Sequence, residues 1–457
     1  MASSLSMRRA ISVPDPASSR NRTSVRCRRW LANIGNGAVE REMSSSDPMV
    51  IVGGGQCGAR AAHALRENGW DGAITLLGDE GRLPYERPPL SKSVLLGQKA
   101  AAQCAIYDEA FYREQRIEVR VDVPVAAIDC AQRKVVLASG EAISYHRLLI
   151  ATGAEPRRFD VPGSTLPGVH ALRAVPDAHA IAGELTQGRR IAVIGAGFIG
   201  LEIAAAAVTR GCEVTVLEAA PRALMRAVPE AVAACLIDCH RQRGVEVRFG
   251  IQVACLTGQA GVTGVQLADG SIVPCDAVVV GVGASPRIAL AQAAGLDIDN
   301  GIAVDGTLRT SDRHIYAAGD VCSFPHPHTG QRIRLECWKN AEDQARVAAR
   351  NMLGHLDIYS AVPWFWSDQY DMTIQIAGIP AYGTTTVVRE TGVASRIFFM
   401  LDAGGTLVSA SGVGRAGEIA RDVRIAQSLI EQRACIDPAL LADRDTKLRS
   451  LLVAEAQ

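Results

Sequence analysis

Two stretches of this chain carry one pattern: a short apolar run, glycines spaced G-x-G-x-x-G, a helical segment, and a second apolar run ending in an acid. In the first, Met49-Val50-Ile51-Val52 leads into Gly53-Gly54-Gly55-Gln56-Cys57-Gly58; Arg60 to Asn68 has alanine-rich helical character, and a strand is predicted at Ala73 to Leu77. In the second, Ile191-Ala192-Val193-Ile194 runs into Gly195-Ala196-Gly197-Phe198-Ile199-Gly200, a helix through Val208 and a strand at Glu213 to Leu217. Two βαβ units of one kind commit most of the chain to an α/β fold, with parallel strands flanked by helices.

The spacing has a chemical reading. The first glycine makes the tight turn, the second lets a pyrophosphate approach the backbone, and the third lets helix and strand pack closely. The helix N-terminus then offers amide donors and a partial positive charge. Asp79 lies 21 residues beyond Gly58, with Glu80 beside it, and Glu218 lies 18 beyond Gly200. Each acid falls at a strand end, where a carboxylate accepts ribose hydroxyls. A tight turn with no ligand is the plainer explanation of either pattern alone; two copies in matching context, each with its acid, favour two dinucleotide sites. Candidate cofactor-binding positions are therefore Gly53, Gly55, Cys57, Gly58 and Asp79 in the first unit, and Gly195, Gly197, Ile199, Gly200 and Glu218 in the second, with Gly283 beyond it. A carboxylate at 218 repels a 2′-phosphate, so NADH is expected over NADPH. Arg222 and Arg226 keep NADPH open.

Composition narrows the rest. Of 457 residues, 48 are basic and 48 acidic, which argues against a nucleic-acid binder, and 48% are hydrophobic, enough for a packed core. No apolar run approaches the length of about 18 residues that a membrane helix needs. The 12 cysteines include no CxxC pair, so neither a zinc ribbon nor a dithiol redox motif is supported, and no metal is expected. Scattered thiols suit a reducing compartment, with the cytosol as default.

Residues 1–46 hold eight arginines, no lysine and three acids, and read as disordered. Their composition resembles an organelle transit peptide, although Met43 offers a later start, which is the preferred reading. The expected divisions are 47–155 and 279–358 for a discontinuous first domain, 156–278 for the second, and 359–457 for an α+β C-terminal domain with strands at Thr373 to Ala377, Arg396 to Leu401 and Leu407 to Val413.

Further motifs stand in order: Arg87-Pro88-Pro89-Leu90-Ser91-Lys92, Ala151-Thr152-Gly153, Glu202 closing the second fingerprint, Tyr316-Ala317-Ala318-Gly319-Asp320, and Trp364-Phe365-Trp366-Ser367-Asp368-Gln369-Tyr370. With them, Pro48 to Gln457 resembles the FAD-dependent ferredoxin reductases that serve ring-hydroxylating dioxygenases and bacterial cytochrome P450 systems, relatives of rubredoxin reductase. The resemblance implies a glutathione-reductase-like pair of Rossmann domains plus a C-terminal interface domain. FAD would occupy the first fold and NADH the second. Asp79 would hold the adenosine ribose, Lys92 would lie at the flavin ring and face Glu202, and Asp320 would meet the ribityl chain. Val125 and Arg173 match FAD-contacting positions, and Trp338 would begin a helix aimed at the flavin pyrimidine edge. The aromatic segment would cover the flavin where nicotinamide docks.

Relatives that reduce disulfides use a dithiol or a cysteine near the Lys92 segment, yet Ser91-Lys92-Ser93 has no thiol. Electrons would then leave the flavin directly for a [2Fe-2S] ferredoxin, or a rubredoxin. The rival readings are an NADH oxidase or monodehydroascorbate-type reductase, and an apoptosis-inducing-factor-like protein whose bound NADH controls a contact.

Overall fold

The computed structural model describes residues 48–452, so the expected character of 1–46 lies outside the described residues. Met49–Val52 sits in the middle of a five-stranded parallel sheet, between Ile74–Leu77 and Arg147–Ile150, with Ile117–Arg120 and Ile315–Ala317 at the edges. The three central strands are buried along their whole length. A parallel sheet covered on both faces requires that, which explains unbroken apolar runs in place of alternation. The Gln56–Glu67 helix packs on the Trp338–Met352 helix, a segment from far along the chain.

The second sheet repeats the plan, with Arg190–Ile194 central between Glu213–Glu218 and Ala277–Val280, and with Glu246–Phe249 and Val169–Ala171 outside them. The chain crosses between the two sheets at Ala154–Pro156 and returns at Ala284–Pro286, and these short strands pair antiparallel. A boundary at 278/279 therefore cuts a strand: Val278 and Val279 pair with Ala192 and Val193. The return to the first domain comes after Val280.

Beyond residue 358 the strands are antiparallel, in the order Trp364–Gln369, Met372–Gly378, Leu407–Gly414, Arg396–Leu401, Thr385–Glu390. Two of the five, Trp364–Gln369 and Thr385–Glu390, were not among the strands expected. One face of this sheet packs Ile397, Phe399 and Ala410 against Ile419, Val423 and Ala426 of the Ala416–Glu431 helix. The other places Ile374, Ile376 and Val413 in one core with Val232 and Leu236 of the Glu230–Gln242 helix, which belongs to the second unit. Among the described residues no helix is long and apolar enough to cross a membrane.

Arg389, 4% exposed, ties this sheet to the chain that follows the last long helix. Its guanidinium donates to the carbonyls of Leu441, Asp443, Arg444 and Thr446 at 2.6–3.3 Å and pairs with Asp422 at 3.5 Å. Methionine fills the same space without donors. Arg389→Met is expected to lower stability by about 2–4 kcal/mol, because four carbonyls and one carboxylate lose their partner. A denaturant midpoint equal to that of the parent protein would count against this clamp.

Candidate functional site

Each fingerprint builds a cradle in which two glycines serve the protein and one serves nothing present. A Cβ on Gly53 would lie 2.1 Å from the Ala151 carbonyl oxygen, and one on Gly58 2.0 Å from that of Gly53. On Gly55 it would meet nothing within 4 Å. The second unit repeats this: Gly195 and Gly200 abut the oxygens of Gly281 and Gly195 at 2.4 and 2.1 Å, whereas Gly197 has its first neighbour at 3.9 Å. The middle glycine keeps space clear in front of a helix N-terminus. Gly55 and Gly197 are the N-caps of the Gln56–Glu67 and Phe198–Thr209 helices, neither with a side-chain cap, so their first amides point into that space. The buried Gln56 amide in the first cradle lacks a partner at both ends. A tight turn without ligand needs no such clearance; a pyrophosphate does.

Around the first cradle, Arg173 reaches over Gly153, its Nη2 lying 3.0 Å from where a Cβ there would stand, and pairs with Asp320 at 3.4 Å. Arg87 donates to the Arg173 carbonyl at 2.7 Å and pairs with Glu80. Burial opposes charge on Glu80, yet Arg87 and the Tyr85 hydroxyl hold its carboxyl below the usual value. Glu80 is thus committed to the fold, while Asp79 faces Arg287 at 2.8 Å at a half-exposed mouth. Val123 donates to the Gly78 carbonyl at 2.8 Å, which brings the segment entering Val125 alongside Asp79. Cys57 packs against Gly319, and burial pushes its thiol up; the nearby Cys322 thiol rises to about 12. Both stay protonated and poorly nucleophilic. Every cysteine among the described residues is free.

At the second cradle, Glu218 accepts from the Ala196 amide at 2.6 Å and the Ala220 amide at 2.7 Å, which holds it at the loop's edge. Arg222 donates to the carbonyls of Ala223, Met225 and Val228 at 2.9–3.2 Å. Its guanidinium is occupied within its own loop. Ile199 stands 47% exposed beside the helix start, and Gly283 holds φ +109 in the crossover.

Between the two units, Lys92 Nζ meets Glu202 Oε1 at 2.7 Å. The carboxylate, 5% exposed, also accepts from the Ser91 hydroxyl, and from that of Ser367 at 2.6 Å. Alternation along Trp364–Gln369 divides the segment's work. Phe365 stacks at a tilt on Phe198 at 4.3 Å, and Ser367 and Gln369 point the same way, buried. Trp364 and Trp366 take the opposite face, stacked at 5.3 Å, with Trp338 edge-on to Trp366 at 5.7 Å. These three tryptophans, with Lys92, Glu202 and Asp368, line a cavity of about 830 Å³. Trp338 opens its helix with no side-chain cap on the preceding residue.

Ser91, Ser367, Gln369 and His240 join the site without having been among the residues expected there. The one available signal was that Phe365, Ser367 and Gln369 share a strand face, as period two dictates.

Residues 47–345 match the model of the pyridine nucleotide-disulphide oxidoreductases, and 364–452 that of the reductase C-terminal domain. The ferredoxin–NAD(+) reductase component of an anthranilate 1,2-dioxygenase system from Burkholderia cepacia is 42% identical over 89% of this chain and 100% of its own. Putidaredoxin reductase from Pseudomonas putida is 35% identical over 90% and 98%. Among solved structures, the ferredoxin reductase for the CYP199A2 system of Rhodopseudomonas palustris superimposes with a TM-score of 0.85 at 38% identity, covering 89% of this chain and 100% of that one. The reductase of a covalent putidaredoxin reductase–putidaredoxin complex superimposes with a TM-score of 0.84 at 35%, covering 89% and 98%.

Proposed function

The chain belongs to the pyridine nucleotide-disulphide oxidoreductase family, and on that premise we propose that it is an NADH-dependent ferredoxin reductase. It would take hydride from NADH and pass electrons singly to a [2Fe-2S] ferredoxin feeding a multicomponent dioxygenase or a cytochrome P450. The observation that carries this reading is the contact of Lys92, from the first unit, with Glu202, from the second, between two cradles that each keep space for a dinucleotide.

Gly53, Gly55, Gly58, Asp79, Val125, Arg173, Asp320 and Trp338 would hold FAD; Gly195, Gly197, Ile199, Gly200, Glu218 and Gly283 would hold NADH. Bound flavin supplies the exchange between two-electron and one-electron chemistry. The protein supplies orientation and charge. Lys92, held by Glu202, would offer its ammonium to the bound flavin as a stabilising charge. The uncapped helix at Trp338 would offer amide donors to the same group.

Purified protein should be yellow, bleach with NADH, and reduce cytochrome c rapidly only when a [2Fe-2S] ferredoxin is added. Equal rates without ferredoxin would instead mark an oxidase or small-radical reductase. Very slow turnover with an NADH-dependent change of oligomer would mark a binding protein of the apoptosis-inducing-factor type.

Coenzyme choice follows from the second cradle. With NADH in this cradle Glu218 would meet the adenosine ribose and repel a 2′-phosphate, and Arg222 is already spent on three carbonyls. NADPH is expected to show a kcat/KM roughly a hundredfold below that of NADH, and Glu218→Gln should narrow the gap about tenfold by removing the like charge. Steady-state kinetics with both coenzymes measure this; a parent enzyme indifferent to the choice would refute it.

A further inference from the structure

The buried carboxylate of Glu202 is the end of a longer chain. Ser367 donates to it and accepts from Gln369 Nε2 at 3.1 Å. With the amide nitrogen so used, Gln369 Oε1 must accept, and its partner at 2.7 Å is His240 Nε2. The imidazole therefore carries its proton on Nε2, and Nδ1 accepts from the Tyr370 hydroxyl at 3.1 Å. Burial keeps His240 in the neutral form this requires. Arg243 closes the far end, its guanidinium 4.5 Å from the Tyr370 ring centroid and paired with Asp371 at 2.6 Å.

Every donor in the series Tyr370, His240, Gln369, Ser367 points toward Glu202, so the dipoles add and favour a fixed carboxylate there. His240 is wholly buried, and Ser367 and Gln369 are exposed by only 1% and 2%. Apolar residues of like shape would suit the fold as well or better, since a buried polar network gains little net stability. The backbone also bears strain here: Tyr370 begins its hairpin loop at φ +58, a conformation that glycine takes at far lower cost. The chain draws on the Glu230–Gln242 helix and the first strand of the C-terminal sheet, neither of which contains a cradle.

We propose that Ser367, Gln369 and His240 are positioning residues that aim Glu202, and through it Lys92, at the reacting ring, so that the C-terminal sheet takes part in hydride transfer. The proposal rests on the reductase reading above and adds a role to residues outside both cofactor sites.

The test is single-turnover reduction of the FAD-loaded enzyme by NADH, followed at the flavin absorbance. Ser367→Ala should lower the rate at saturating NADH about tenfold, with half-saturation changed less than about twofold, and Ser367→Thr should restore most of it. In a Glu202→Gln background the same Ser367→Ala change should cost less than about twofold, because its effect passes through the carboxylate. Gln369→Leu offers the same comparison should Ser367→Ala lose FAD. An equal factor in both backgrounds, or an unchanged rate in the fully loaded single variants, overturns the proposal. Failure of the parent enzyme to be reduced by NADH overturns the reductase reading itself, and the parent trace shows which of the two has failed.

Discussion

Glu202→Ala is expected to slow reduction of the bound flavin by NADH roughly a hundred- to thousandfold, the range in which one misplaced catalytic group is felt. Among the described residues the carboxylate is the one anion paired with Lys92, at 2.7 Å, and it accepts from two hydroxyls as well. Without it the ammonium keeps only a long bond, 3.4 Å, to the Pro88 carbonyl. Its flexible stem can carry it into the neighbouring cavity, and Ser91 and Ser367 lose their bond to the carboxylate. Glu202→Gln preserves volume and one acceptor oxygen while removing charge, so it should fall between parent and alanine variant. Lys92→Ala should slow the same step and also cost stability, about 3 kcal/mol, since it strands a carboxylate that is 5% exposed. Stopped-flow traces on FAD-loaded variants decide the matter. Parent-like single-turnover rates in both alanine variants would falsify the role given to this pair.

How much of this could be read from the residues depends on distance along the chain. The two cradles were legible because strand, glycine turn and helix are contiguous, and each glycine answers to atoms a few residues away. The Lys92–Glu202 contact joins positions 110 residues apart, and no local pattern announces it; only the resemblance to reductases did. The division at 278/279 falls inside a strand because Ala277–Val280 is a plain apolar run, and which sheet it joins is decided by its partner strand. Thr385–Glu390 shows alternation only in its last four residues, where Val387 and Arg389 turn inward. A buried arginine there reads as a surface residue until its carbonyl partners are known. Ser367 and Gln369 were hidden for the same reason: polar residues on the inward face of a strand look solvated in sequence. His240 looks like an ordinary surface residue of an amphipathic helix, yet it is wholly buried, bonded to a strand that lies 129 residues ahead.

The two glycines of one cradle should respond in opposite ways to added side chains. At Gly55 the backbone is extended, φ −101 and ψ −166, and open space surrounds the Cβ direction. Gly55→Val therefore folds, at a cost near that of a changed N-cap, under about 1 kcal/mol. Its methyls occupy the volume that a pyrophosphate must enter to reach the helix amides. Losing two charge-assisted hydrogen bonds amounts to about 4 kcal/mol, or roughly a thousandfold in FAD affinity, so the purified variant is expected to be colourless and natively folded. Gly58→Ala meets backbone instead, with its Cβ 2.0 Å from the Gly53 oxygen. Leu76 Cδ1 at 3.1 Å could yield, but the Gly53 backbone cannot, so that variant should lose several kcal/mol of stability whether or not flavin is present. The second cradle offers the matching case: Gly197→Val should stay yellow while half-saturation by NADH rises roughly a hundredfold, since the first atom near its Cβ lies 3.9 Å away. Flavin content, thermal midpoint and NADH titration separate the three. A Gly55→Val protein that retains FAD as tightly as the parent would show that the first cradle does not hold the flavin nucleotide, and the assignment of one dinucleotide to each fold would fail with it.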